Sequence, residues 1–431
     1  MALGGGTFLV QNKVLPGSYM NFISVAKASA TLSERGIATM PLELDWGVDG
    51  GVFEVTNGDF QKNSMKIFGY DYTHEKLKGL RDLFLNVKTL YAYRLNSGAS
   101  AENTYAKAVC SGTRGNDLKV VIQTNVDDTT AFDVTLWLGS QVVDKQTVHE
   151  GSALVDNDYV TWKAAATLTV TAGVALSGGT NGTVAASAHQ TYLDRIEAYT
   201  YNIMGVVTEE SAIKQLYANF TKRMRDEVGA KFQTVLYQQE ADYEGVINVK
   251  NTCKEEAAGL IYWVSGLEAG CDVNKSCLNR KYDGAFQVDC DYTQAQLTKA
   301  INDGEFTLHM VNGDVRVLSD INSMVTTSDT KGDVFKDNQS MRVMDQIAND
   351  IALLFNTKYL GVVPNDGGGR TSLWADIVKH HEQLEGIRAI ENFNDKDVTV
   401  AQGDTKKSVV VTDVVSVVNA MAQLYMTVKV A

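Results

Sequence analysis

No long lysine- or arginine-rich run occurs in this sequence of 431 residues, and 39 basic against 52 acidic side chains leave a formal charge of −13. A surface that tracks phosphates is therefore not expected, and nucleic acid is a poor partner. No stretch approaches the roughly 18 apolar residues that a membrane span requires, so a membrane partner is not expected either. The first residues, MALGGGTFLVQNKVLPG, lack the basic start, long apolar block and small-residue cleavage site of a secretory signal. Production in the cytoplasm is the expectation. Proline is scarce, with Pro16, Pro41 and Pro364 the only three. The five cysteines, Cys110, Cys253, Cys271, Cys277 and Cys290, include no C-x-x-C pair. An odd set without that spacing speaks for reduced thiols, with the redox state of Cys271 and Cys277 in the loop-like GCDVNKSC stretch left open.

The motifs of common chemistry are missing as well. No G-x-x-x-x-G-K-[ST] string is present, and the glycine runs at 4–6 and 367–369 have neither the lysine nor the helix that would complete a phosphate loop. His381-Glu382-Gln383-Leu384-Glu385 begins like a zinc helix, but Glu385 stands where the second histidine should face the metal. On a helix, the adjacent His380 and His381 would point about 100° apart and not share one metal ion. There is no G-x-S-x-G elbow and no cysteine with a catalytic flank. Neither an enzyme nor a cofactor is expected.

What is present is core material: hydrophobic residues make up 44% and charged residues 21%, which argues for a folded chain of several domains. Residues 1–25 form two apolar pieces broken by Pro16-Gly17 after a flexible Gly4-Gly5-Gly6, and suggest an arm that needs a partner. Residues 26–97 mix strands with an amphipathic helix over Glu75–Asn86, as in an α/β domain. From 98 to 199 the composition shifts to Thr, Val, Ala, Gly and Ser, with alternation at Leu118–Ile122, Phe132–Leu138 and Thr167–Val170. That pattern predicts an inserted β-sandwich. Helix and strand alternate again over 200–330, and right-handed crossovers would make this a second α/β domain. A C-terminal domain spans 331–412, with a helix after Asn338, a breaker at Pro364–Gly369, a second helix over Ser372–Glu391, and strands near Asp397–Val400 and Lys407–Thr412. Residues 413–431 end in an alternating strand, with Leu424, Met426, Val428 and Val430 on one face. Such a strand must pair with its own sheet or with an edge on another subunit.

Several strings resemble one family. Pro16-Gly17-Ser18-Tyr19-Met20-Asn21-Phe22 is similar to a P-G-x-Y-x-N-F element, and Arg35 to Gly47 resembles R-G-x-x-x-x-P-x-x-x-x-W-G. Lys88–Asn96, Thr113–Leu118, Tyr282–Ala285, Asn312–Val317 with Asp320–Asn322, and Leu424–Val428 follow in the same order. Together they identify the chain as resembling the tail sheath proteins of contractile phage tails and R-type bacteriocins of Gram-positive bacteria.

The resemblance implies a non-enzymatic subunit that stacks in hexameric rings around an inner tube and contracts without nucleotide hydrolysis. It also implies an α+β, multidomain fold in which the terminal arms exchange strands between subunits. Phe8, Val10, Val14 and Leu15 are the expected arm contacts. Leu424, Met426, Val428 and Val430 are the expected donor strand, and Val398, Val400, Val409 and Val411 the acceptors. Lys379, His380 and Arg388 are the expected contacts to the tube. Implied partners are the chain itself, the inner tail tube protein, and baseplate and tail terminator proteins, in a particle released by lysis. The competing reading, a surface adhesin that displays the β-sandwich, requires an export signal or anchor; an α/β enzyme requires a cleft of converging polar groups.

Overall fold

The computed structural model describes residues 32–430. It divides into a larger unit, made of Ser33–Asn349, Leu384–Asn392 and residues from Val415 onward, and a smaller one in which Asp350–Gln383 and Phe393–Val414 are described.

A seven-stranded sheet organises the larger unit. Its order is Glu305–Phe306, Val246–Val249, Gln233–Tyr237, Ile203–Val206, Ile37–Leu42, Thr89–Arg94 and Val52–Thr56. Neighbours are parallel except the last pair, which is antiparallel. Segments 26–97 and 200–330, read from sequence as separate domains, therefore share one sheet, because Ala38 pairs with Ile203 on one side and Leu90 on the other. Local composition explains this position. Ala38, Thr39, Met40 and Leu42 are all buried, so both faces of the strand are covered and it belongs in the middle of a parallel sheet. One face packs on the helix Leu260–Gly270 through residues such as Trp263 and Val264. The other packs on Tyr192, Tyr217 and Phe220. Gly266 allows the close approach of Leu260–Gly270 to Lys78–Phe84, since a Cβ there would lie 2.4 Å from the Leu83 carbonyl oxygen.

The β-rich insertion forms as expected, with two differences. A four-stranded antiparallel sheet runs Gln141–Val148, Phe132–Leu138, Leu118–Thr124, Thr171–Ala175, beside a pair made of Ala106–Ala108 and Val160–Trp162. Alternating Leu118, Val120 and Ile122 meet Val134, Leu136 and Leu138 in its core. The last strand begins at Thr171, after the Thr167–Val170 run. Within that run, only Leu168 is buried. The insertion also ends before 199: the helix Ala186–Ile196 buries Tyr192, Leu193 and Ile196 in the core of the large sheet.

Buried charge ties the first part of the helix Asn338–Leu354 to the rest of the larger unit. Arg342, 1% exposed, donates to Asp320 Oδ2 at 2.6 Å, to the Lys275 carbonyl at 2.9 Å and to Glu268. Arg225 makes a two-pronged pair with Asp345 at 2.6 and 2.8 Å. Burial, and then the Asp320 charge, holds the Glu268 carboxyl well above its ordinary range. Burial also pushes Asp320 upward, but the Arg342 guanidinium and the Cys277 N–H outweigh it and keep Asp320 ionised.

Candidate assembly interface

The C-terminal segment leaves the larger unit at a defined point. Ser416–Val417 pairs antiparallel with Ile390–Glu391, and Val418 N donates to the Ala389 carbonyl at 3.0 Å. The Gln339 side chain then acts as a short strand partner: it donates to the Val418 carbonyl at 3.0 Å and accepts from Ala420 N at 2.9 Å. Ser340 Oγ adds a bond to Asn419. Beyond Ala420 no strand pairing continues among the described residues. Leu424, Met426, Val428 and Val430 are 85%, 74%, 68% and 92% exposed. An apolar row with an unpaired backbone is a ready template for a sheet edge.

In the smaller unit, Thr399–Gln402 and Val409–Thr412 form a hairpin in which Val400 faces Val411. A two-stranded ribbon is marginal by itself and needs a surface to pack on. Here Val398, buried, and Val400 and Val409, half-buried, pack on Leu373 and Ile377 of the helix Gly367–Gly386. Trp374 Nε1 donates to the Val398 carbonyl at 3.0 Å, and Asn365 Nδ2 to the Ser408 carbonyl at 2.8 Å. Both outer edges of this braced pair are free of other strands among the described residues. Val411 is 39% exposed.

Of the expected tube contacts, Lys379 is exposed on the helix. Arg388 is also exposed, but it lies past the end of the helix in a left-handed turn with φ 62°. The helix starts earlier and stops earlier than expected. Asp366 accepts from Gly369 N at 2.8 Å, so the glycine run opens the helix instead of breaking it.

His380 is corrected by the structure: at 1% exposure it is not a surface contact. Its Nε2 is 3.0 Å from Asp350 Oδ2, and His381 Nε2 is 2.7 Å from Asp413 Oδ2. The two Nδ1 atoms are 3.3 Å apart, within hydrogen-bond reach. The 100° between backbone directions did not anticipate this, because side-chain torsions turn both rings toward each other. Asp413 follows the second hairpin strand, so the pair also ties hairpin to helix. Phe8, Val10, Val14 and Leu15 lie outside the described residues.

Ligands bind at the carboxyl ends of the parallel strands in many open α/β sheets. The crevice there is lined by Glu43, His189, Thr208, Glu210, Glu256 and Tyr262, among others. His189 Nδ1 is bonded to Tyr217 Oη at 2.9 Å, and burial lowers its pKa. The arrangement contains no nucleophile set against a base.

Comparison with known proteins bears on all of these elements. Residues 35–95 match the tail sheath protein Gp18 domain III N-terminal region, 89–181 the phage tail sheath protein beta-sandwich domain, 182–323 the phage tail sheath protein central domain, and 330–431 the phage tail sheath C-terminal domain. The chain is 31% identical to the phage-like element PBSX protein XkdK of Bacillus subtilis, across 99% of this chain and 100% of that protein. It is similar to the crystal structure of the sheath tail protein from Desulfitobacterium hafniense, with a TM-score of 0.80, 36% identity, and coverage of 90% of this chain and 93% of that one. A contracted-state sheath complex of an extracellular contractile injection system, PVC, shares the fold alone, with a TM-score of 0.59 at 10% identity over 97% and 98% of the two chains. By its domains and its relatives, the chain belongs to the phage tail sheath protein family.

Proposed function

We propose that the chain polymerises in hexameric rings around an inner tube, in a metastable extended state, and contracts to drive that tube through a target envelope without nucleotide hydrolysis. The observation that carries this reading is the exposed apolar segment 421–430 beyond the Gln339 clamp. In the proposal, Leu424, Met426, Val428 and Val430 add to one open edge of the hairpin Val398–Thr412 on a second copy, and the arm residues Phe8, Val10, Val14 and Leu15 add to another. Val400, Val409 and Val411 receive them beside Val398. Such backbone pairing persists while rigid-body contacts break and re-form in a shorter state. The C-terminal domain serves as the tube-facing part. Baseplate and tail terminator proteins close the ends of a particle made in the cytoplasm and released by lysis. Neither nucleic acid nor membrane is bound. Electron microscopy of the full chain with its tube protein tests this reading: striated sheaths are expected, and persistent monomers would reject it.

Lys379 and Arg388 are the remaining candidates for the tube. Replacing both with glutamate reverses their charge at a surface contact, where electrostatics set encounter rate and register. Sheath co-sedimenting with tubes is expected to fall several-fold at low salt, with self-assembly unchanged.

A further inference from the structure

We propose that Cys271 and Cys277 form a redox pair that closes into a disulfide when the chain meets a small-molecule disulfide such as oxidised glutathione. Both sit at the C-terminal end of the helix Leu260–Gly270. Cys271 is the first residue beyond it, and Cys277 Sγ lies 4.0 Å from the carbonyl of Leu267, one turn before Cys271. The chain returns through a turn in which Lys275 N donates to the Asp272 carbonyl at 3.0 Å, and Cys271 Sγ lies 3.5 Å from the Lys275 carbonyl. Cys277 is 1% exposed, whereas Cys271 is partly exposed. One thiol is thus within reach of solvent, and the other stands behind it.

The surroundings divide the chemistry between them. The neighbouring Cys277 thiol holds Cys271 below the ordinary thiol range; burial opposes this, and the guanidinium groups of Arg342 and Arg35 reinforce it. Burial first, and then the neighbouring Cys271, hold Cys277 well above the range, with its thiol turned to the Leu267 carbonyl. A stabilised, accessible thiolate beside a protonated partner is the pattern of an attacking and a resolving cysteine. The Cys271 thiolate attacks one sulfur of glutathione disulfide, breaking that S–S bond and releasing one glutathione thiolate. Cys277 then gives up its proton to solvent and attacks the Cys271 sulfur, displacing the second glutathione. Two protein thiols are oxidised and one small-molecule disulfide is reduced to two thiols.

Closure would fix a loop that already holds two other parts of the same unit. Asn274 Nδ2 donates to the Ile387 carbonyl at 2.6 Å, and the Lys275 carbonyl accepts from Arg342. Thiols kept reduced in a cytoplasm would bridge only in an oxidising medium.

The test treats the full chain with oxidised glutathione, blocks the remaining thiols with an alkylating agent and digests with trypsin. Cleavage after Lys275 separates the two cysteines, so peptides 255–275 and 276–280 stay together only through the bridge. The linked pair is expected, with loss of two of the five free thiols. Cys277→Ser should stop at a glutathione adduct on Cys271, and Cys271→Ser should leave Cys277 unmodified. A lasting adduct on Cys271 in the unaltered chain, a bridge between other cysteines, or five thiols still free would overturn the proposal. The peptide map of the unaltered chain decides the matter even if either serine variant fails to fold.

Discussion

Deleting residues 420–431 is expected to abolish striated sheaths while leaving a folded chain. Beyond the bond from Ala420 to Gln339, the deleted segment has no partner in its own unit among the described residues, so its loss removes no core. The melting temperature should stay within about 2 °C, as for surface changes generally. Assembly should respond very differently. Each of Leu424, Met426, Val428 and Val430 gains about 1.5–3 kcal/mol when its side chain is buried, and the backbone gains strand pairs in addition. No rigid-body contact between exposed, net-negative surfaces replaces that sum. Striated polymers from the truncated chain would show that the segment is dispensable and that the sheath is held by other contacts.

Arg342→Met is expected to cost about 3–5 kcal/mol, because it leaves Asp320 and Glu268 without their cation in a buried site, where Asp320 must either stay charged and unpaired or take up a proton. The urea midpoint measures the loss. Changing all three residues together, with Arg342→Met, Glu268→Gln and Asp320→Asn, removes the stranded charge as well as the pair. Most of the lost stability should return. A single variant as stable as the parent would mean that water enters the site and solvates both carboxylates.

Much of the architecture is legible in the sequence because its signals are local. Alternation at Leu118–Ile122 and Phe132–Leu138 reports strands with one buried face, and the apolar positions of Leu260–Leu267 report a buried helix. The union of 26–97 and 200–330 is not legible, since it depends on which strand Ile37–Leu42 chooses as its second neighbour, a choice made across more than a hundred residues. Asp366-Gly367-Gly368-Gly369 misleads for the opposite reason. Glycine signals a break, yet the Asp366 side chain supplies the cap that starts the helix. At the candidate interface, the exposed row from Leu424 to Val430 lies where the sequence alternates. The burial of His380 does not follow from the pattern, because Asp350 and Asp413 reach the histidines from distant positions. Arg342 is hidden in the same way: a cation within a helical apolar pattern reads as a surface residue until its two carboxylates are in view.

The clamp on Ala420 also has a metric meaning. Ten described residues, 421–430, follow it, and a fully extended chain advances about 3.3–3.6 Å per residue, so the segment through Val430 reaches roughly 33–36 Å from that point. If a neighbour holds the far end, its acceptor edge has to stay inside this radius before, during and after contraction. The tether would then limit how far helical rise and twist can change in one stroke, and lengthening it by a few glycines and serines should widen the range of pitches the polymer can adopt.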